Sequence, residues 1–349
     1  MDRSFKLAIN IRSDSDRPTS KARRNFWFSL LNDVRRATKK QDNVSLNQKI
    51  SNELKKTLRP EFPSQLIQIH LFGSRILGIA GDDSDLDIYV DIGNCSGVYS
   101  DKPTKKVLEQ QMVIAQAIRK DPSKWAFLKN CEGRCPLVVV RHKNSNIQCD
   151  ISFSNSMTCG QIKLVNYIFE LQPIARYMVV YLRGWAERQQ IHSAFRSHLL
   201  VLMVIFILQV RRHLPTIYML QNGLKPDVGP WITKFCNFKL FELNIEQVPV
   251  NGYQARKKLA DFFSFYSTFN FSKFVVCPYL GKKVLRSNLK YMMPQRYRQF
   301  GNGRRFQNKQ VAIQDLVHLN HNKGASINKS MLDCFVEKCC LESQGFFKT

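Results

Sequence analysis

Acidic residues are scarce in this 349-residue chain: 27 Asp and Glu stand against 53 Lys and Arg, a formal net charge of +26. From Phe262 to Gln314 there is not one. An imbalance of that size calls for a polyanionic partner, nucleic acid first, with a membrane surface as the competitor. Long apolar runs are also missing. The longest, Leu199 to Leu208, is too short to span a bilayer and reads as a buried helix. No amphipathic basic helix stands out either, so no membrane partner is expected. Ten cysteines occur without a recognisable secretory signal. Cys131 and Cys135 have no second pair at zinc-ligand spacing to answer them, which argues against a structural zinc site. Reduced thiols in an intracellular protein are expected, cytoplasmic in the first place and mitochondrial as the alternative. No internal repeat or low-complexity tract is present.

The first 24 residues carry seven Lys/Arg and four Ser. Asp2, Asp14 and Asp16 set them apart from acid-poor mitochondrial targeting segments, and they read as a disordered basic arm. Over 25–58, apolar residues recur at helical spacing: Phe26, Leu30, Leu31 and Val34, then Leu46, Ile50, Leu54 and Leu58. Two amphipathic helices ended by Pro60 and Pro63 follow. Both are expected to pack on helices far downstream, so that a catalytic domain over 59–157 is inserted between them. Thr104 to Lys120 is a further helix, and Asp121-Pro122 restarts a short one before the Cys131–Pro136 loop. Two strands, Leu137–Arg141 and Ile147–Phe153, flank the polar turn HKNSN. After Asn155 the pattern turns helical, with Gln161–Leu171, Pro173–Gln190, Ser197–Arg212 and the aromatic helix Ala255–Phe274.

The most informative stretch is Leu66 to Ile92, LIQIHLFGSRILGIAGDDSDLDIYVDI. A strand from Leu66 to Phe72 stops at Gly73-Ser74, and a second runs from Asp85 to Ile92. In the second, Leu86, Ile88, Val90 and Ile92 share one face, because strand side chains alternate with period two. Asp85, Asp87, Tyr89 and Asp91 point the other way. Carboxylates two residues apart on one face repel unless a cation sits between them, and a divalent metal with oxygen ligands is the natural partner. Gly73-Ser74, at the start of a helical turn, offers backbone N–H groups to a phosphate. In the strand Ile147–Phe153, Asp150 is a third carboxylate on a polar face, able to join Asp85 and Asp87 if the strands are neighbours. Three aspartates around metal ions suit phosphoryl transfer. Asp82, Asp83 and Asp91 read as solvated turn and strand-end charges.

With these residues in view, FGSRILGIAGDDSDLDIYVD and CDISFSN resemble the catalytic signature of the DNA polymerase β-like nucleotidyltransferases. The nearer resemblance is to their non-canonical poly(A)/poly(U) polymerase branch, the terminal RNA nucleotidyltransferases. YLRGWAERQQI, LLVLMVIFILQ, DFFSFYSTFNF and AIQDLVHLNHNKG agree with it in order, from about Leu66 to Gly324. The resemblance implies an α+β fold: a mixed sheet with helices facing a mainly helical domain over 158–349, whose associated region covers about 255–324. It implies Asp85, Asp87 and Asp150 as the catalytic metal ligands for Mg²⁺ or Mn²⁺. Gly73 and Ser74 would hold a triphosphate, Arg183 would grip it, Gln161 would stand at the sugar contact, and His198 would stack on the base. Asp315 and His321 match a base-reading loop. The activity implied is template-independent addition of nucleoside monophosphates from NTP to single-stranded RNA 3′ ends. UMP is favoured and AMP second, since His321 can donate to the uracil O4 carbonyl.

Several positions depart from the family pattern. Glu187 stands where a second basic residue is usual, one turn after Arg183, and can neutralise it through an i,i+4 pair. His198 replaces a tyrosine or phenylalanine, Gln161-Ile162 an Asn-Thr pair, and Leu316-Val317 a Pro-Phe pair. These departures support a competing expectation, a catalytically weak homologue that binds RNA or acts as a scaffold. The acid-free segment Gly281–Gln310 holds nine Lys/Arg among aromatic rings, the combination that single-strand binding needs. Lys282, Lys283, Arg286, Arg304 and Arg305 are its candidate RNA contacts, with a solvated basic loop as the alternative.

Overall fold

A computed structural model describes residues 21–93, 103–133, 135–153, 157–298 and 306–348. The expected basic arm lies almost wholly outside the described residues. Among the described residues there are two apolar cores, one under a mixed sheet and one among helices. Helix α1 (Lys21–Gln41) buries Leu30, Val34 and Ala37, spaced four and three apart on one face, in the helical core. Helix α2 (Val44–Leu58) buries Ile50, Leu54 and Leu58 under the sheet instead. The expectation that both N-terminal helices pack on the helical domain is thus corrected for α2. Its polar face explains the difference: Glu53 meets the buried His142 ring at 2.9 Å and the Thr57 hydroxyl takes the Trp125 indole N–H at 3.0 Å. Both partners belong to the sheet.

The sheet runs β1-β2-β5-β4-β3, from β1 (Gln68–Phe72), β2 (Leu86–Asp91), β3 (Trp125–Cys131), β4 (Leu137–His142) and β5 (Ile147–Ser152). Only β2 and β5 are parallel; the other pairs are antiparallel. Leu86, Ile88, Val90, Val138, Val140, Cys149 and Ile151 form one buried face, covered by α2 and by α4 (Lys105–Lys120). Thr104 caps α4 by accepting the Val107 N–H at 3.4 Å, the usual device for an orphan donor of the first turn.

Strand β3 replaces the short helix expected after Asp121-Pro122. Asp121 closes a turn, accepting the Ser123 and Thr57 hydroxyls at 2.8 and 2.9 Å. Trp125 and Phe127 then pair with His142 and Val140 of β4. Aromatic residues suit a half-buried pleated surface, and a ladder with a distant partner is a non-local gain that outweighs local pattern.

The helical body comprises α5 (Met157–Leu171), α6 (Ile174–Arg188), α7 (Ser197–Val210), the short α8 (Ile217–Leu220), α9 (Gly252–Ser267) and a last helix, Lys329–Lys348. Helix α7 is buried on nearly every side, as its unbroken apolar run requires. No helix among the described residues is long and apolar enough to cross a membrane.

Candidate active site

The parallel pair of the sheet brings the three aspartates together. Asp87 of β2 stands opposite Asp150 of β5 in the ladder, and Asp85 lies two residues before Asp87 on the same face. Their electrostatics record the proximity. Burial, then Asp85 and Asp150, push the Asp87 carboxyl up to about 8. Burial and Asp85 likewise raise Asp150, against a 3.1 Å hydrogen bond from the Gln148 amide. Among the described residues, no group of three or more His, Cys, Asp or Glu side chains is closed around a metal position. The donor set still fits a hard divalent cation: Asp85 helps to raise the pKa of both Asp87 and Asp150, a repulsion that a cation would relieve, and oxygen ligands are what such a cation takes. One cation beside them escapes sequence reading. The Arg75 guanidinium, half-buried near Asp85, donates to the Ser84 carbonyl at 2.9 Å.

Gly73 and Ser74 follow β1 directly, in the short turn α3 (Gly73–Ile76). Gly73 has φ +79°, and a Cβ there would strike the Asp87 carboxylate. The turn and the triad are therefore in van der Waals contact, which only glycine permits. The loop between them is held by the helical body at four carbonyls. Gln41 donates to Ile76 at 2.7 Å, Arg176 to Gly78 at 2.8 Å, Arg183 to Ile79 at 2.9 Å, and Lys40 to Gly81. Lys40 and Arg36 also pair with Asp82 at 3.2 and 3.0 Å. Asp82, expected as a solvated charge, is exposed but anchored to α1. Arg183 in addition meets Glu187 at 3.3 Å, the i,i+4 pair its spacing predicts.

Gln161, His198, Asp315 and Lys323 form a second polar cluster, from α5, α7 and the loop after Ile313. Asp315 is buried and ion-paired to Lys323 at 3.0 Å, and the Gln161 amide donates to it at 3.4 Å. Burial works to raise the Asp315 carboxyl. Lys323, His321 and a bond from the Val317 N–H together outweigh it and hold the group below the usual carboxylate range. His198 opens on to solvent yet is ringed by protein; that desolvation, with Lys323 and Arg196 nearby, holds its imidazole neutral. His321 closes a tight turn, its backbone N–H on the His318 carbonyl at 2.8 Å, and the His318 ring lies edge-on to Trp231 at 4.7 Å. Lys323, Trp231 and His318 add to the residues named from sequence. Of these, Lys323 carries a sequence signal, a cation two residues beyond His321.

The basic segment behaves differently from expectation at Arg286. Its guanidinium donates to the carbonyls of Phe271, Gln307, Lys309 and Gln310, so it staples the protein's own chain. Lys282 and Lys283 are exposed, with Lys283 over the Phe274 ring at 5.7 Å. Arg304 and Arg305 lie outside the described residues.

Residues 29–170 match the family model of the central palm domain of mitochondrial-like poly(A) RNA polymerases. Over 311 residues, 85% of this chain, the sequence is 24% identical to human terminal uridylyltransferase 7, of which the match covers 19%. The chain thus spans about a fifth of that relative's length. In fold it resembles a crystal structure of mtPAP in complex with UTP, at TM-score 0.65 and 21% identity, covering 85% of this chain and 62% of that one. It also resembles the Cid1 poly(U) polymerase bound to 3′-dATP, at TM-score 0.64 and 20% identity, covering 86% and 87%. The mixed sheet and the helical body are the parts of the fold that this likeness covers. Over residues 29–170 the chain is thus similar to the palm domain of mitochondrial-like poly(A) RNA polymerases, and in fold it is similar to mtPAP and to the Cid1 poly(U) polymerase.

Proposed function

We propose that this chain transfers nucleoside monophosphates from NTP to the 3′ ends of single-stranded RNA without a template, UTP favoured and ATP second, releasing pyrophosphate. The observation that carries the reading is the meeting of Asp85, Asp87 and Asp150 on adjacent strands with the Gly73 turn packed against Asp87. The three carboxylates would hold Mg²⁺ or Mn²⁺, which when bound lowers the pKa of an attacking hydroxyl and offsets charge on the triphosphate. Backbone N–H groups at Gly73-Ser74 would receive phosphate oxygens. Arg75, beside Asp85, adds positive charge on the sheet side. Gln161, His198, Asp315 and His321 would line the base and sugar. Lys282 and Lys283 would meet the RNA backbone, with Arg304 and Arg305 further along the same segment. The cysteine content supports a reducing compartment, the cytoplasm first and mitochondria second.

One observation favours a second reading, a catalytically weak RNA-binding homologue: Arg183 is shared between the Ile79 carbonyl and Glu187, leaving less of its charge for a triphosphate. Single-turnover extension of an oligo-RNA with each NTP decides between them, using the native protein beside Asp85→Ala and Asp87→Ala. Extension by the native protein alone supports the transferase. No extension above the variants supports the binding-only reading, and equal or better use of ATP removes the preference for UTP.

A further inference from the structure

Asp315 has no acceptor capacity to spare. Its Oδ1 takes the backbone N–H groups of Val317 at 2.8 Å and His318 at 2.9 Å. Its Oδ2 takes the Lys323 ammonium at 3.0 Å and the Gln161 amide nitrogen at 3.4 Å. An ionised carboxylate offers about four lone-pair sites, and all are used. A nucleobase therefore finds no open acceptor on this side chain. What Asp315 does is fix two neighbours of opposite character.

A carboxylate only accepts, so it selects the orientation of the Gln161 amide: the nitrogen turns to Asp315 and the carbonyl oxygen turns away from it. Lys323 spends one of its three donors on Asp315. Its side chain keeps 21% of its exposure, against 2% for Asp315, so its remaining donors face accessible space. His198, expected to stack on the base, is near both, since its imidazole feels Lys323 and Asp315. One carboxylate oxygen thus holds a donor from the loop and an acceptor from α5 side by side.

We propose that Lys323 and Gln161 form a specificity-determining pair that selects a keto nucleobase. This rests on the transferase reading and deepens its preference for UTP, while it replaces ATP by GTP in second place at this edge. A keto edge carries a carbonyl acceptor next to a ring N–H donor, as O4 and N3–H of uracil or O6 and N1–H of guanine. Lys323 answers the carbonyl and the Gln161 oxygen answers the N–H. Cytosine and adenine present the reverse order, an amino donor beside a ring acceptor. They would set donor against donor at Lys323 and acceptor against acceptor at Gln161. Mispairing buried polar groups is the kind of mismatch that discriminates strongly, because both sides lose hydrogen bonds they made with water. The pair acts independently of His321.

The test compares UTP with CTP, two pyrimidines of one size that differ at this edge. kcat/KM for RNA extension is measured for the full chain and for Lys323→Leu, Lys323→Arg and Gln161→Leu. The expected result is a native preference for UTP over CTP that Lys323→Leu and Gln161→Leu each lower by about tenfold or more. Lys323→Arg retains most of it. An unchanged UTP:CTP ratio in Lys323→Leu overturns the proposal. So does an equal loss for all four nucleotides, which makes Lys323 an anchor for Asp315 alone. If the native chain extends RNA with no nucleotide, the transferase reading fails. Equilibrium dialysis of UTP against CTP with Mg²⁺ then still decides the pair: binding of UTP over CTP that Lys323→Leu abolishes supports it, and equal binding refutes it.

Discussion

Arg176 donates through Nε to the Gly78 carbonyl at 2.8 Å while its Nη2 donates to the Thr38 hydroxyl at 2.6 Å. One guanidinium thereby joins α6, α1 and the loop between the phosphate-binding turn and the strand of Asp85 and Asp87. Gly78 has φ +64°, and a Cβ there would strike both Gln41 and Arg176. The loop has been drawn in until only glycine fits. Gln41, Arg183 and Lys40 grip three neighbouring carbonyls of the same loop. Ser74 and the aspartates are therefore set relative to the helical body by Arg176, Gln41 and Lys40, which have no assigned part at phosphate or metal, together with Arg183, which has one.

Removing that grip has a stability cost and a functional one. Arg176→Met leaves the Gly78 carbonyl and the Thr38 hydroxyl without this donor, at a cost of about 2 kcal/mol, partly offset because burial already lowers the pKa of the Arg176 guanidinium. Urea unfolding measures the loss. In the extension assay KM for NTP rises while Mg²⁺ dependence stays as in the native protein, since the three carboxylates are untouched.

Asp87 trades stability for site chemistry, and pH shows the sign. Its folded pKa of about 8 lies above the value near 4 of an unfolded aspartate. Below about pH 4 both states hold the proton and the group costs nothing. Between about pH 4 and 8 the native state binds more protons, so stability falls as pH rises, by a few kcal/mol in order of magnitude. Thermal melts of metal-free protein should show that decline, and Asp87→Asn should flatten it and raise the Tm at pH 8. Mg²⁺ should raise the Tm of the native protein and leave Asp87→Asn nearly unmoved. The same variant should lose extension activity.

The Arg183–Glu187 pair bears on the triphosphate. A unit charge about 6 Å from a phosphate contributes ~3 kcal/mol at an effective dielectric of ~20, and the half-exposed Glu187 gives less than that after screening. Glu187→Lys frees Arg183 and reverses the charge beside it. KM for NTP is expected to fall roughly tenfold, measured at saturating RNA, with the unfolding midpoint nearly unchanged because exposed pairs stabilise little.

Of the five candidate RNA contacts, Lys282 and Lys283 are the ones that are exposed among the described residues, Arg286 being turned to its own chain. If each neutralises one phosphate, replacing both by Ala should lower the slope of log K against log salt by about 1.4 for single-stranded RNA. Affinity measured by anisotropy across a salt series gives that slope. An unchanged slope places the RNA path elsewhere.

What the sequence made legible follows from range of interaction. The face of Asp85 and Asp87 could be read because strand alternation is local and Leu86, Ile88 and Val90 mark the buried side. Asp150 needed only the adjacency of two strands. Strand β3 could not be read, since Asp121-Pro122 is compatible with turn or helix and the deciding contacts, to β4 and Thr57, are distant. The inward turn of Arg286 is hidden for a similar reason: carbonyls of Phe271 and Gln310 leave no composition signal. Lys323 was visible as a cation near His321, but its ion pair to Asp315 depends on how the loop folds back.

The last helix, Lys329–Lys348, shows the same limit and offers a test of the helical core. Leu332, Phe335, Val336 and Cys339 lie on one face at helical spacing, diluted by the adjacent Cys340 and by Gly345. Phe335 is fully buried; its ring stacks on Phe195 at 3.9 Å between centroids and meets Trp185 edge-on at 6.0 Å. The helix also packs on α9 and receives the Tyr181 hydroxyl on Glu342 at 3.1 Å. Phe335→Ala removes a stacked ring and opens a cavity among Phe195, Trp185 and Tyr266, at a cost of about 3–5 kcal/mol. Phe335→Leu refills most of the volume and should cost less than half of that. Chemical denaturation of the two variants measures the difference. Because Phe195 leads into α7, where His198 sits, Phe335→Ala should also loosen nucleotide binding, while Phe335→Leu restores it. Equal effects of the two variants on stability would show that the last helix contributes little to the core.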